Sequence, residues 1–191
     1  MALHDQPASQ HTQKQPLERP EIEPNEMFEN DPERDRTLPK RRLARERVMQ
    51  MLYAQDVTGR DADELFAELV RPDLLSDAAA LDFAATLARA VGANHATVNA
   101  LIAEKLQRWD LSRVALIDRL LIQMGITELM HFPEIPPKAT INELIEIAKD
   151  YSTEESGKFI NGILHSVLTH LRETGQLHKT GRGLVDRSTG A

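Results

Sequence analysis

Apolar residues along this chain recur at intervals of three and four, and nowhere does the strict alternation of a half-buried strand set in. The spacing predicts an all-helical fold. At 100° per residue, Leu43, Ala44, Val48, Met51 and Leu52 form the apolar stripe of a first helix. That helix starts near Pro39, a residue favoured in a first turn, and stops before Gly59. A short helix follows near residues 61–70 and is closed by Pro72, and a longer one covers about 76–106, with a bend expected near Gly92.

After Trp109-Asp110, whose aspartate can cap, a helix over residues 111–131 carries Val114, Ile117, Leu120, Leu121, Met124, Ile126 and Leu129 on nearly all faces. A helix apolar all round belongs in the centre of a bundle. The prolines of FPEIPPK, residues 132–138, break the chain. Thr140 with Glu143, and Ser152 with Glu155, read as capping boxes opening two further helices. The last, about 153–172, lines up Ile160, Ile163, Leu164, Val167, Leu168 and Leu171, with Ser156 and Gly157 in the same stripe where a neighbouring backbone could approach closely.

Composition divides the 191 residues into three parts. Six of the ten prolines fall in residues 1–39, among many Glu and Gln and few apolar residues, so this segment is read as a disordered acidic arm. The glycine-rich stretch 172–191 is read as a flexible tail, leaving 40–171 as the folded unit. No cysteine is present, which excludes disulfides, thiolate metal sites and cysteine nucleophiles. No apolar run is long enough to span a membrane and no signal core opens the chain, so the expected location is the cytoplasm, with no membrane partner.

Catalytic patterns are missing. His165 and His170 stand five apart, about 140° around a helix, whereas paired ligands on one helix need three or four. There is no nucleophile elbow, no phosphate-cradling glycine loop and no zinc-binding H-E-x-x-H. Asp118 and Glu128 lie in an otherwise apolar helix, where internal pairing is the simpler reading than acid–base work. The expectation is a protein that is not an enzyme and uses no cofactor or metal.

Charge changes the picture at one place. The chain carries a formal net charge of −7, yet Lys40, Arg41, Arg42, Arg45 and Arg47 crowd into eight residues. Segment by segment the net charge is −5 over residues 1–39, +4 over 40–60, −8 over 61–171 and +2 over 172–191. Such a patch on an acidic molecule disfavours diffuse attraction to nucleic acid and permits one oriented contact. Around the first helix, Arg42, Arg45, Glu46 and Tyr53 are placed away from the apolar stripe. Outward arginines beside a tyrosine suit single-stranded RNA, guanidinium for phosphate and ring for base; the bland alternative is a solvated helix face.

Three stretches, "KRRLARERVMQMLYAQD", "QRWDLSRVALIDRLLIQMGITEL" and "IPPKATINELIEIAKDYSTEESGKFINGIL", resemble in order the transcription antitermination factor NusB family over roughly residues 40–170. The resemblance implies two small packed helical bundles. It also implies binding of boxA-type RNA in nascent ribosomal transcripts, together with the small-subunit ribosomal protein NusE, within a transcription elongation complex. Carried over by position, Arg41, Arg42 and Arg45 match the basic motif, and Gln50 and Tyr53 the Q-x-L-Y positions of the same helix. Tyr151 stands where the family often has an aromatic, and Glu155, Lys158 and Phe159 match the run before Asn161-Gly162. Asp118 matches an acidic position in the partner-binding region.

Each has a plain counterpart. Phe159 serves equally well as a core ring, Tyr151 more readily as a core ring than as a contact, Asp118 as half of an internal ion pair, and Asn161-Gly162 more readily as a packing device than as a ligand contact. A similar helical domain also precedes the catalytic part of some ribosomal RNA cytosine methyltransferases, but no Rossmann-like strand or glycine motif is present here. The acidic arm departs from the family, and it could fold back on the arginines and compete with RNA.

Overall fold

The computed structural model of the chain describes residues 23–106 and 114–181, and all regular structure among them is helical. After a single 3-10 turn come α1 (Pro32–Thr37), α2 (Lys40–Thr58), α3 (Ala62–Leu65), α4 (Arg71–Leu74), α5 (Ala78–Leu106), α6 (Leu116–His131), α7 (Pro137–Tyr151) and α8 (Ser156–Glu173). Helices α2 to α5 pack as one group and α6 to α8 as a second, joined along α5 and α6 into one continuous hydrophobic core. The Trp109-Asp110 cap and the expected helix start at Leu111 lie outside the described residues.

Boundaries follow local chemistry. Gly59 ends α2 at φ +70°, a left-handed conformation that costs glycine little, and its N–H closes on the Gln55 carbonyl at 2.8 Å. Pro72 does not close the short helix. A π turn over Phe66–Val70 shifts the register, so that Pro72 falls in the first turn of α4, where its missing N–H is not needed. Helix α5 runs through Gly92 without interruption.

Neither capping box forms. Thr140 is buried inside α7 and donates through Oγ1 to Glu128 Oε2 at 3.0 Å, while Glu143 accepts from Arg42. Ser152 follows the end of α7 and donates to Asp118, and α8 begins only at Ser156. The S/T-x-x-E spacing is the same whether its members cap a helix or find partners elsewhere in the fold.

Helix α6 is buried on nearly every side, as its pattern predicts. Helix α2 is equally central, because Arg45, Glu46, Arg47 and Gln50 are all interior. At Gly157, the expected place of a close backbone approach, an added Cβ would meet only the Ile145 side chain at 3.4 Å. It is at Gly125 in α6 that side chains leave no room, with Leu164 Cδ2 at 2.7 Å and Leu144 Cδ1 at 2.8 Å from an added Cβ.

Both stretches set apart by composition contribute ordered parts. Asp31 accepts from the N–H groups of Glu33 and Arg34, at 2.9 and 3.2 Å, and Pro32 occupies the first turn of α1. Met27 and Phe28 lie against the core. Beyond α8, Leu177 also packs on the core, Lys179 Nζ donates to the Phe132 carbonyl at 2.9 Å, and the Thr180 N–H donates to the Pro133 carbonyl at 2.9 Å.

Candidate nucleic-acid interface

The arginines of α2 do not share one solvent face. Arg45, expected to point outward, is 3% exposed and lays Nε and Nη2 on the two Glu128 oxygens at 2.7 and 2.8 Å. Its guanidinium also lies 4.9 Å from the centre of the Phe83 ring. Burial opposes its charge, and the Glu128 carboxylate more than offsets this, so the Arg45 pKa is raised. Glu46, also expected outward, is buried and accepts both Nη atoms of Arg34 at 2.9 Å. Both charges lie inside although they stand off the apolar stripe, because paired charges can be interior.

Arg41 does remain exposed at the start of α2, with its guanidinium 5.1 Å from the Phe83 ring centre and no carboxylate partner among the described residues. Arg42 is half-buried and bidentate on Glu143, at 2.7 and 3.2 Å, an arrangement that raises its pKa through that hydrogen bond despite partial burial.

Gln50, Tyr53 and Tyr151 come together on another side of α2. Gln50 is buried and donates through Nε2 to Tyr151 Oη at 3.2 Å, and Tyr151 in turn donates to Glu46 Oε2 at 3.3 Å. Burial, reinforced by the Glu46 charge, raises the Tyr151 pKa. Phe28 sits edge-on to both tyrosines, with ring centres 5.2 Å from Tyr53 and 5.9 Å from Tyr151. Arg47, a neighbour that the sequence reading left out of the site, is buried with Nη1 on Asn30 Oδ1 at 3.0 Å and ion pairs to Asp35 and Asp73.

The remaining residues gather near the start of α8. Asp118 is buried in the first turn of α6 and accepts from Ser152 Oγ at 2.6 Å and Ser156 Oγ at 2.8 Å, so it ties α6 to the α7–α8 turn. Instead of an arginine, its partners are hydroxyls. Half-buried Phe159 borders a cleft with Asp118, Glu155 and Val114. Lys158 and Glu155 pair at 3.3 Å on the open surface.

The sequence reading missed Phe28, Asn30, Arg34 and Asp35 because composition dominates a polar, proline-rich segment. A local signal was available in Asp31-Pro32-Glu33, the start of a capped helix, preceded by the apolar pair Met27-Phe28.

Two helical groups sharing one core, built around the charge-paired central α2, define an all-helical module. The NusB family pattern matches residues 42–169, and the chain belongs to the NusB family of transcription antitermination proteins. It is 44% identical over 149 residues to the transcription antitermination protein NusB of Salinibacter ruber, a match covering 78% of this chain and 93% of that one. The solved structure of T. maritima NusB superposes with a TM-score of 0.63 at 34% identity, over 69% of this chain and 92% of that chain. A structure of the antitermination factors NusB and NusE in complex with dsRNA shares the fold, with a TM-score of 0.63 at 24% identity, over 69% of this chain and 97% of that one. No helix among the described residues is long and apolar enough to cross a membrane.

Proposed function

We propose that this chain acts, without catalysing a reaction, by binding boxA-type single-stranded RNA of nascent ribosomal transcripts jointly with a NusE ribosomal protein, in the cytoplasm and as part of a transcription elongation complex. Family membership supports the reading, as does the fold shared with a NusB that has been solved with NusE and RNA. The observation that carries it on this chain is Arg41: an exposed guanidinium at the head of the central helix, with no carboxylate partner among the described residues and half-buried Arg42 beside it. Phosphate contacts of this kind position an RNA strand, and exposed rings and amides supply base recognition. Lys158 and Phe159 at the start of α8 form the second contact region, and Asp118 holds the turn that presents it.

The test is titration of a boxA-like RNA with this protein alone, with NusE alone and with both. The pair binds more tightly than either alone, because two small surfaces on one strand share the ordering cost. Equal affinities with and without NusE overturn joint binding, and no preference over a scrambled RNA overturns boxA recognition.

A further inference from the structure

The surface formed by Gln50 and Tyr53 of α2 with Tyr151 at the end of α7 is covered by the chain's own residues 27–35, which lie outside the region matched to the family. We propose that this segment is a strap occupying, in place of RNA, the surface formed by Arg47, Gln50, Tyr53 and Tyr151, and that RNA binding there requires its release. The inference rests on the RNA-binding reading above.

Three groups of the strap reproduce the three kinds of contact that hold a single strand. Phe28 packs edge-on against Tyr53 and Tyr151 and so fills the place beside these rings that an unstacked base would take. The Asn30 amide oxygen accepts from Gln50 Nε2 at 2.8 Å and from Arg47 Nη1 at 3.0 Å, as the carbonyl edge of a base would. The Asp35 carboxylate pairs with Arg47, as a phosphate would.

The strap is also built to open. Helix α1 has six residues, none of them buried, so it is held by its neighbours rather than by a core of its own. Its latch, Arg34, reaches Asp150 at 2.6 Å and Glu46 at 2.9 Å, and with the arginine 30% and Asp150 50% exposed, water competes for that end of the latch. Release does not strand Arg47, which keeps Asp73 of α4. Glu46 keeps the Tyr151 hydroxyl at 3.3 Å.

A closed strap lowers apparent RNA affinity by the fraction of molecules that are open. Phe28→Ala and Asp35→Asn in the full chain should each tighten binding of a boxA-like single-stranded RNA, the former by about tenfold if two edge-to-face aromatic contacts are lost. Hydrogen exchange of the amides in 31–38 of the wild-type protein should speed up when that RNA is added. If wild type binds RNA and Phe28→Ala leaves affinity unchanged or weakens it, or if 31–38 become more protected on binding, the strap is a fixed part of the surface and the inference falls alone. If wild type and both variants all fail to bind RNA, the RNA reading falls and takes the strap with it.

Discussion

Arg45 and Glu128 meet in the interior of the bundle, two nitrogens on two oxygens at 2.7 and 2.8 Å, with the carboxylate fully buried and also accepting from Thr140. The pair joins α2 to α6, and Thr140 extends it to α7. Its role in the fold is therefore structural, and loss of the arginine leaves a buried anion without its counter-charge. Arg45→Ala should destabilise the protein by about 3–5 kcal/mol, whereas Arg45→Met combined with Glu128→Gln should cost distinctly less. Urea unfolding of the single and double variants measures both, and equal losses would show that the charge pairing is not what matters.

Arg41 and Arg42 differ in availability, and their variants should differ accordingly. Arg41→Ala should leave stability within about 0.5 kcal/mol of wild type. It should also make the dependence of log RNA affinity on log salt shallower by about 0.7, the value for one lost phosphate contact on a single strand. Glu143→Gln, which frees Arg42 from its bidentate partner, should strengthen RNA binding instead. Fluorescence anisotropy across a salt series reads both effects, and an unchanged slope in Arg41→Ala removes that residue from the interface.

Two helical glycines should respond with opposite signs. Gly125→Ala places a methyl group against Leu164 and Leu144, both buried, and should destabilise by about 1–3 kcal/mol because a packed core resists added volume. Gly162, in α8, has open space where its Cβ would stand, so Gly162→Ala should stabilise by about 0.5–1 kcal/mol through helix propensity. Thermal melts of the two variants decide it.

Tyr151 gives the fold an alkaline dependence. Its protonated hydroxyl donates to Glu46, and burial together with that carboxylate raises its pKa above the unfolded value of about 10. A raised folded-state pKa means that the contribution is complete below the unfolded pKa and disappears as pH rises through the folded one. Wild-type stability should therefore fall faster than that of Tyr151→Phe above about pH 10, by up to about 1.4 kcal/mol per pH unit. Parallel denaturant titrations from pH 9 to 11.5 test this, and identical slopes would remove Tyr151 as the cause.

Periodicity by itself determined that the protein is all helical, that α6 is central, and where α2 starts and stops, because 3.6-residue spacing, a first-turn proline and a left-handed glycine act through the local backbone. The resemblance of three stretches was enough to place the chain in its family. Tertiary structure alone decided which charges are interior. Nothing near Arg45 in the sequence announces Glu128, 83 positions away, and with such a partner a guanidinium can be buried that a helical wheel assigns to solvent. The same holds for Thr140 and Ser152, whose capping signatures yield to partners on α6. It holds most of all for Phe28, which no local rule connects to Tyr53 and Tyr151: a ring buries its faces wherever the folded surface offers them, and that surface exists only once α2 and α7 have packed.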